Sequence, residues 1–304
     1  MFFVTALLKA LSQPKPSVRD YDALIPQVPF QAGIQRHIFQ TVKDKDKMAA
    51  PLRKNVERIR QLNPDWTCTL FDDADIEAYI ETHYGPRILA FYHRIGPHYG
   101  AAKADFFRYL VIFREGWVYL DIKSTVDRPL SEVVRPDDTC LLSYWNNLPG
   151  QGHEGFGHYP GLPDYIERGE IIQWYVAMAA GHPLLRKVIA QMLSNIDRYN
   201  PYVNSVGWLG TVSTTGPIMY TTTIWDALHE ASERYPVRWV DIIGECGFRY
   251  SIFAEQGENP AAPAHTAHLP SDYRKAVSPV IKHRCGIVNA INRAYLTLLQ
   301  RLHR

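Results

Sequence analysis

The sequence predicts an α/β protein built on a parallel sheet with helices packed against it. Three observations carry this expectation. Strand-like and helix-like segments alternate from residue 33 to residue 122. The chain, at 304 residues, is long enough for one large α/β domain. No internal repeat and no apolar run of the ~20 residues needed to span a bilayer points elsewhere. A hydrophobic fraction of 46% against 21% charged residues excludes a disordered chain and a polytopic membrane protein. Lys and Arg number 33 and Asp and Glu 31, which leaves +2 and none of the basic excess that a nucleic-acid partner requires. Eighteen Tyr and seven Trp supply flat amphipathic rings suited to sugar and base faces as well as to a core. Cys68, Cys140, Cys246 and Cys285 form no CxxC pair, so they read as reduced structural thiols.

The elements follow in order. The apolar segment 2–11 is too short to cross a membrane and lacks a signal-peptide pattern. It reads as a small helix packed on the body or lying on a membrane surface. A proline-rich lead-in reaches residue 32. Residues 33–41 form the first strand, and Lys43-Asp-Lys-Asp-Lys a solvated loop. Pro51 opens a helix with Leu52, Val56, Ile59 and Leu62 on one face, stopped at Asn63-Pro64. Trp66, Cys68 and Leu70 alternate as in a strand, and Asp72-Asp73 can cap the helix after it. Residues 101–114 are helical with Ala102, Phe106, Leu110 and Phe113 on a buried face, and Gly116 ends the helix. Residues 117–122 form a strand with Val118, Leu120 and Ile122 on one side and Tyr119 and Asp121 on the other. Residues 140–145 are a further strand, and 146–170 a glycine-rich loop carrying His153 and His158, read equally as a lid or as plain surface loop. A helix covers 183–199, a loop 200–215, a helix 217–229, short strands 237–242 and 248–253, and a loop 256–272. The tail is a helix with Ile287, Ile291, Leu298 and Leu302 on one side and Arg293, Arg301 and Arg304 elsewhere, read as packing on the domain or as resting on a membrane surface.

Chemistry concentrates between residues 103 and 123. Asp105 and Arg108 stand three apart on a helix and share a face. Tyr119 and Asp121 share a face of the next strand, so two acids, a guanidinium and a phenol converge near a strand end, where open α/β sheets bind ligands. There an Arg can clamp an anion and a carboxylate can hold a divalent metal. The same spacing also fits an amphipathic helix with a surface ion pair followed by a buried strand.

This stretch closely resembles the sugar-binding region of the family 32 glycosyltransferases, the Och1-like group, and more distantly the glucosylating bacterial toxins. Ala104, Asp105, Phe106, Phe107, Arg108, Tyr109, Gly116, Tyr119, Leu120 and Asp121 match that family's pattern. Residues 35–41, Asn63-Pro-Asp-Trp, Leu70, Asp72-Asp73, His182-Pro-Leu and Thr215-Gly-Pro are similar to further motifs, so the likeness covers roughly residues 33–230. It implies a GT-A fold: one Rossmann-like nucleotide-binding domain with helical and loop additions. On that reading 1–32 is a lead-in and 33–286 the catalytic domain. A donor half at 33–145 and an acceptor half at 146–286 make up that domain, and 287–304 is a C-terminal amphipathic helix.

The resemblance also implies retaining transfer of a hexose from a sugar nucleotide, with UDP-hexose favoured over GDP-mannose, and with Mn²⁺ or Mg²⁺ as cofactor. The acceptor would be a glycan or a lipid-linked glycan in surface polysaccharide synthesis, and the enzyme would be cytoplasmic or would rest on a membrane surface. Asp105 and Arg108 would hold donor hydroxyls. Asp121 would hold metal and diphosphate, Gln40 and Thr41 would line the nucleotide pocket beside Tyr119, and His283 would be the outside metal ligand. Three positions depart from the pattern. Trp117 replaces a glycine and either packs under the sheet or narrows the donor pocket. Val42 replaces an aromatic residue. Lys123 replaces the second acid of the DXD motif, where strand alternation puts it beside Asp121. Lys123 then either leaves Asp121 to hold the metal with outside help or neutralises the diphosphate itself. The alternatives are a catalytically degenerate sugar-nucleotide or glycan-binding relative, and a donor hydrolase.

Overall fold

A computed structural model describes residues 18–231, 235–253 and 273–302. The apolar segment 2–11 and the loop 256–272 lie outside the described residues. Helix α1 spans Val18–Asp22 and strand β1 His37–Thr41. Helix α2 (Ala50–Leu62) begins with a proline in its first turn and buries Leu52, Val56 and Ile59 as its spacing predicts. Strand β2 is Thr67–Phe71. Helix α3 (Asp73–Arg94) opens on a capping box in which Asp72 accepts from the Asp75 amide and Asp75 accepts from the Asp72 amide. Helix α4 (Gly100–Glu115) closes on Gly116 at φ 72°, where an added Cβ would lie 2.6 Å from the Ala180 amide nitrogen. The left-handed cap and the close approach both require glycine there.

Strand β3 (Val118–Leu120) follows at once, then β4 (Thr125–Val126), β5 (Cys140–Leu142) and β6 (Tyr175–Met178). Helices α5 (Pro183–Arg198), α6 (Gly207–Thr214) and α7 (Pro217–Ala231) come next, then β7 (Arg238–Trp239), β8 (Phe248–Arg249) and α8 (Gly286–Leu302).

Six strands form the main sheet in the order β2-β1-β3-β6-β5-β7, and β4 pairs with β8 apart from it. The sheet is mixed. β1 runs parallel to β2 and β3, but β6 is antiparallel to both β3 and β5. This corrects the all-parallel expectation. β6 (Tyr-Val-Ala-Met) is buried at every position, so it shows no alternation to mark it in the sequence. Helix α6 likewise lies inside the stretch 200–215 expected to be loop.

One apolar cluster takes Phe39 and Tyr119 with helices α3, α4 and α5; the other takes Ile38, Val118 and Leu120. The predicted alternation along β3 therefore holds from Val118 to Leu120, β1 alternates likewise, and the sheet is sandwiched between two cores. All four cysteines are free thiols.

Candidate functional site

The site begins where the strands end. β1 delivers Gln40 and Thr41, and β3 delivers Tyr119 with Asp121 directly after it. Asp121 is tied on both sides: its amide donates to the Trp174 carbonyl at 2.8 Å, and its carbonyl accepts from Gln40 Nε2 at 3.2 Å. The Tyr119 hydroxyl donates to Asp121 Oδ1 at 2.8 Å. Arg108 Nη1 stands 3.7 Å from that same oxygen, and its guanidinium lies 4.4 Å from the centre of the Tyr119 ring. Thr41 bonds the Tyr119 side chain. Asp105, Arg108, Gln40, Thr41, Tyr119 and Asp121 are thus one connected group.

Burial separates their roles. Asp105 and Arg108 are 3% and 4% exposed, so they are not a surface ion pair. Their side chains pair directly. Asp105 Oδ2 accepts from Thr215 Oγ1 at 2.8 Å, and Arg108 Nη1 donates to the Gln173 carbonyl. Both were expected to touch donor hydroxyls, but their polar atoms are engaged inside the protein. The carboxylate with open surface is Asp121, whose side chain is 25% exposed. Burial pushes the Asp105 carboxyl up to about 6, against the pull of Arg108 and Thr215. Thr215 and Gln173 were missed as site residues. Thr215 stood in a noted motif; Gln173 had no signal, since the antiparallel β6 is what brings it to Arg108.

Lys123 departs from its expected position. β3 stops at Leu120, and residues 121–124 turn, closed by the Ser124 amide donating to the Asp121 carbonyl at 2.9 Å. Strand alternation ends there, so it does not place Lys123. Its side chain is buried, with Nζ 3.6 Å from the centre of the Tyr250 ring. The turn is held from below by Asn55, whose Nδ2 donates to the Ile122 and Ser124 carbonyls.

Lys123 also acts electrostatically on Glu170, a buried carboxyl at the end of loop 146–170. Trp145 Nε1 donates to Glu170 Oε1, and the Tyr159 hydroxyl reaches it. This part of the loop is therefore packed: Asn147 Nδ2 donates to the Phe156 and Arg168 carbonyls at 2.8 and 3.1 Å. Burial pushes the Glu170 carboxyl up to about 7, while Trp145, Tyr159 and Lys123 pull it down. A raised carboxyl pKa means the folded state binds the proton more tightly than the unfolded chain. Stability is then lost as pH rises from about 4.5 to about 7. Glu170→Gln removes that term while keeping an acceptor for Trp145. Urea unfolding is expected to show the variant gaining about 2 kcal/mol on wild type between pH 5 and pH 8, near the value that 1.4 kcal/mol per pKa unit implies.

His283 is not brought to Asp121. It is exposed ahead of α8, where its Nδ1 accepts from the Cys285 amide at 3.0 Å and its amide donates to Asn289 Oδ1 at 2.6 Å. Trp117 does not narrow the donor pocket. It precedes β3, at the opposite end of the strand from Asp121, and stacks on His37 with ring centres 3.6 Å apart. Among the described residues no group of three or more His, Cys, Asp or Glu side chains gathers to hold a metal ion. Asp121 is the carboxylate the turn offers to the expected Mn²⁺ or Mg²⁺, and the Lys123 ammonium, with no lone pair, adds no second ligand.

Fold and cluster together define an α/β protein with a ligand site at the carboxyl ends of its central strands. Residues 50–141 match the family model described as the glycosyltransferase sugar-binding region containing a DXD motif. The chain is 27% identical over 258 residues to the initiation-specific alpha-1,6-mannosyltransferase of Candida albicans, covering 75% of this chain and 65% of that protein. It is 27% identical over 221 residues to the protein of the same description in Schizosaccharomyces pombe, covering 67% and 51%. Inositol phosphoceramide mannosyltransferase 3 of S. pombe is 25% identical over 167 residues, 55% of this chain and 38% of that one. Among solved structures, the PaToxG glycosyltransferase superposes with a TM-score of 0.48 at 14% identity, over 71% of this chain and 77% of that one. The chain thus spans 65% or less of the length of these curated relatives. The resemblance to the Och1-like glycosyltransferases is borne out, and the α/β fold it implies is the one observed.

Proposed function

We propose that this protein is a glycosyltransferase that moves a mannosyl group from a nucleotide sugar, GDP-mannose, to a glycan or lipid-linked acceptor. The observation that carries the proposal is the open carboxylate of Asp121, held by Tyr119 and backed by Arg108 inside the matched sugar-binding region. The sequence favoured a UDP-hexose. The relatives named above are mannosyltransferases by description, and that moves the donor to a mannose nucleotide. In this reading Asp121 orients the donor, and Asp105 and Arg108 are positioning residues that fix Asp121 and Tyr119 from beneath. Gln40 and Thr41 hold the strand end against which the nucleotide lies. Retention of configuration needs no separate protein nucleophile if the leaving phosphate assists the incoming hydroxyl.

The departing diphosphate carries the largest charge in the reaction, and a fixed cation stabilises it. Lys123, two residues after Asp121 across the turn and seated on the Tyr250 ring, is the cation assigned that part here. A thermal-shift panel of GDP-mannose, GDP, UDP-glucose and UDP, each with Mn²⁺ and with EDTA, tests both points. Stabilisation by the guanosine compounds that survives EDTA is expected. Transfer activity should persist in EDTA for wild type and become metal-dependent in Lys123→Asp, which restores the second acid. A shift with uridine compounds alone overturns the donor assignment, and wild-type activity abolished by EDTA overturns the role of Lys123. Binding without transfer or hydrolysis would favour a degenerate binding relative.

A further inference from the structure

Helix α8 carries an exposed apolar stripe. Ile287, Ile291, Tyr295 and Leu298 fall within one quarter of the helix circumference and are each about half exposed. The helix meets the domain, as one of the two readings of the sequence expected, but this stripe is not the side that packs. The side turned to the body carries Asn292, which is buried and accepts from the Tyr202 hydroxyl at 2.8 Å. The approach to the helix is fixed by polar ties: the Lys282 amide donates to the Arg94 carbonyl at 2.7 Å, and Arg284 pairs with Asp197 at 2.6 Å. The apolar stripe continues onto the neighbouring loop, where Tyr202 packs edge-on against Tyr295 and Val203 is 80% exposed.

Charge bears on what this face would meet. Residues 273–302 contain six of the chain's 33 basic residues and none of its 31 acidic ones. An apolar helix face in an acid-free, cationic segment matches a surface that is apolar beneath and anionic above. We infer that α8, with Tyr202 and Val203, seats the protein on an anionic lipid bilayer, with the helix lying in the headgroup plane. No helix of the described residues is long and apolar enough to cross a membrane. The inference does not depend on the proposed donor or reaction.

The full chain is tested by co-sedimentation with vesicles of phosphatidylcholine alone and with added phosphatidylglycerol. Binding to the anionic vesicles, weakened by salt, is expected, with little binding to the neutral ones. The double substitution Ile291→Glu, Leu298→Glu should weaken vesicle binding about tenfold or more, equivalent to at least ~1.4 kcal/mol. Its melting temperature and nucleotide shift should not change, because both positions are exposed. If the glutamates disturb the helix, as read by circular dichroism, Ile291→Ser, Leu298→Ser is measured instead with the same expectation. Three results overturn the inference: no sedimentation with anionic vesicles, equal sedimentation of wild type and variant, or a dimer in light scattering that the variant splits while vesicle binding is absent.

Discussion

Asp121→Asn is expected to lower transfer kcat by about 10²–10³-fold, the range found when a single preorganised charge-stabilising group is removed. The amide keeps an acceptor for the Tyr119 hydroxyl and a shape that the surrounding turn accepts. The side chain is a quarter exposed, so no buried charge is stranded. Melting temperature should therefore move little, within the ±0.5 kcal/mol of an ordinary surface change. That separation of activity from stability distinguishes a donor-orienting carboxylate from a structural one. Asp105→Asn should not show it, because both Asp105 oxygens have partners inside the protein. A fully active, fully stable Asp121→Asn protein would remove Asp121 from the reaction.

Much of this site was legible in the sequence because its short-range geometry survives folding. Asp105 and Arg108 pair because three residues on a helix are one turn apart. Tyr119 meets Asp121 because alternate residues of a strand share a face. What was illegible depends on chain path. Gln173 reaches Arg108 across 65 residues through an antiparallel strand with no periodic signal, and Thr215 reaches Asp105 across 110 residues from the end of helix α6. Lys123 was misplaced for a local reason: three residues of strand were read as six, and the turn after Leu120 ends the alternation. His283 was chosen by position in the chain, and its recorded bonds are those of a helix start. The face of α8 was read correctly as apolar, but periodicity cannot say whether a stripe points inward or outward. The exposure of the stripe beside the buried Asn292 decides that.

Arg108→Met is expected to be the most destabilising change in the site, by about 3–5 kcal/mol. It leaves Asp105 buried without its counter-charge. The cause is the stranded carboxylate rather than the lost guanidinium, and this gives the prediction its test. Adding Asp105→Asn to Arg108→Met should recover a large part of the loss, so that the pair is strongly non-additive in a double-mutant cycle. Simple additivity would mean that the two side chains act independently. The pH dependence makes the same point. Burial holds the folded-state carboxyl of Asp105 at about 6, above the ordinary 3.8, so the folded state holds the proton more tightly. Wild-type stability from this group is full below about 3.8 and is lost as pH rises towards 6. Removing Arg108 takes away the charge that pulls this pKa down, so the loss should continue to higher pH. The deficit of Arg108→Met against wild type should then be smaller at pH 5 than at pH 8, and should stay constant with pH once Asp105 is also Asn. A deficit equal at both pH values in the single variant would show that lost packing, not the buried charge, is what Arg108 protects against.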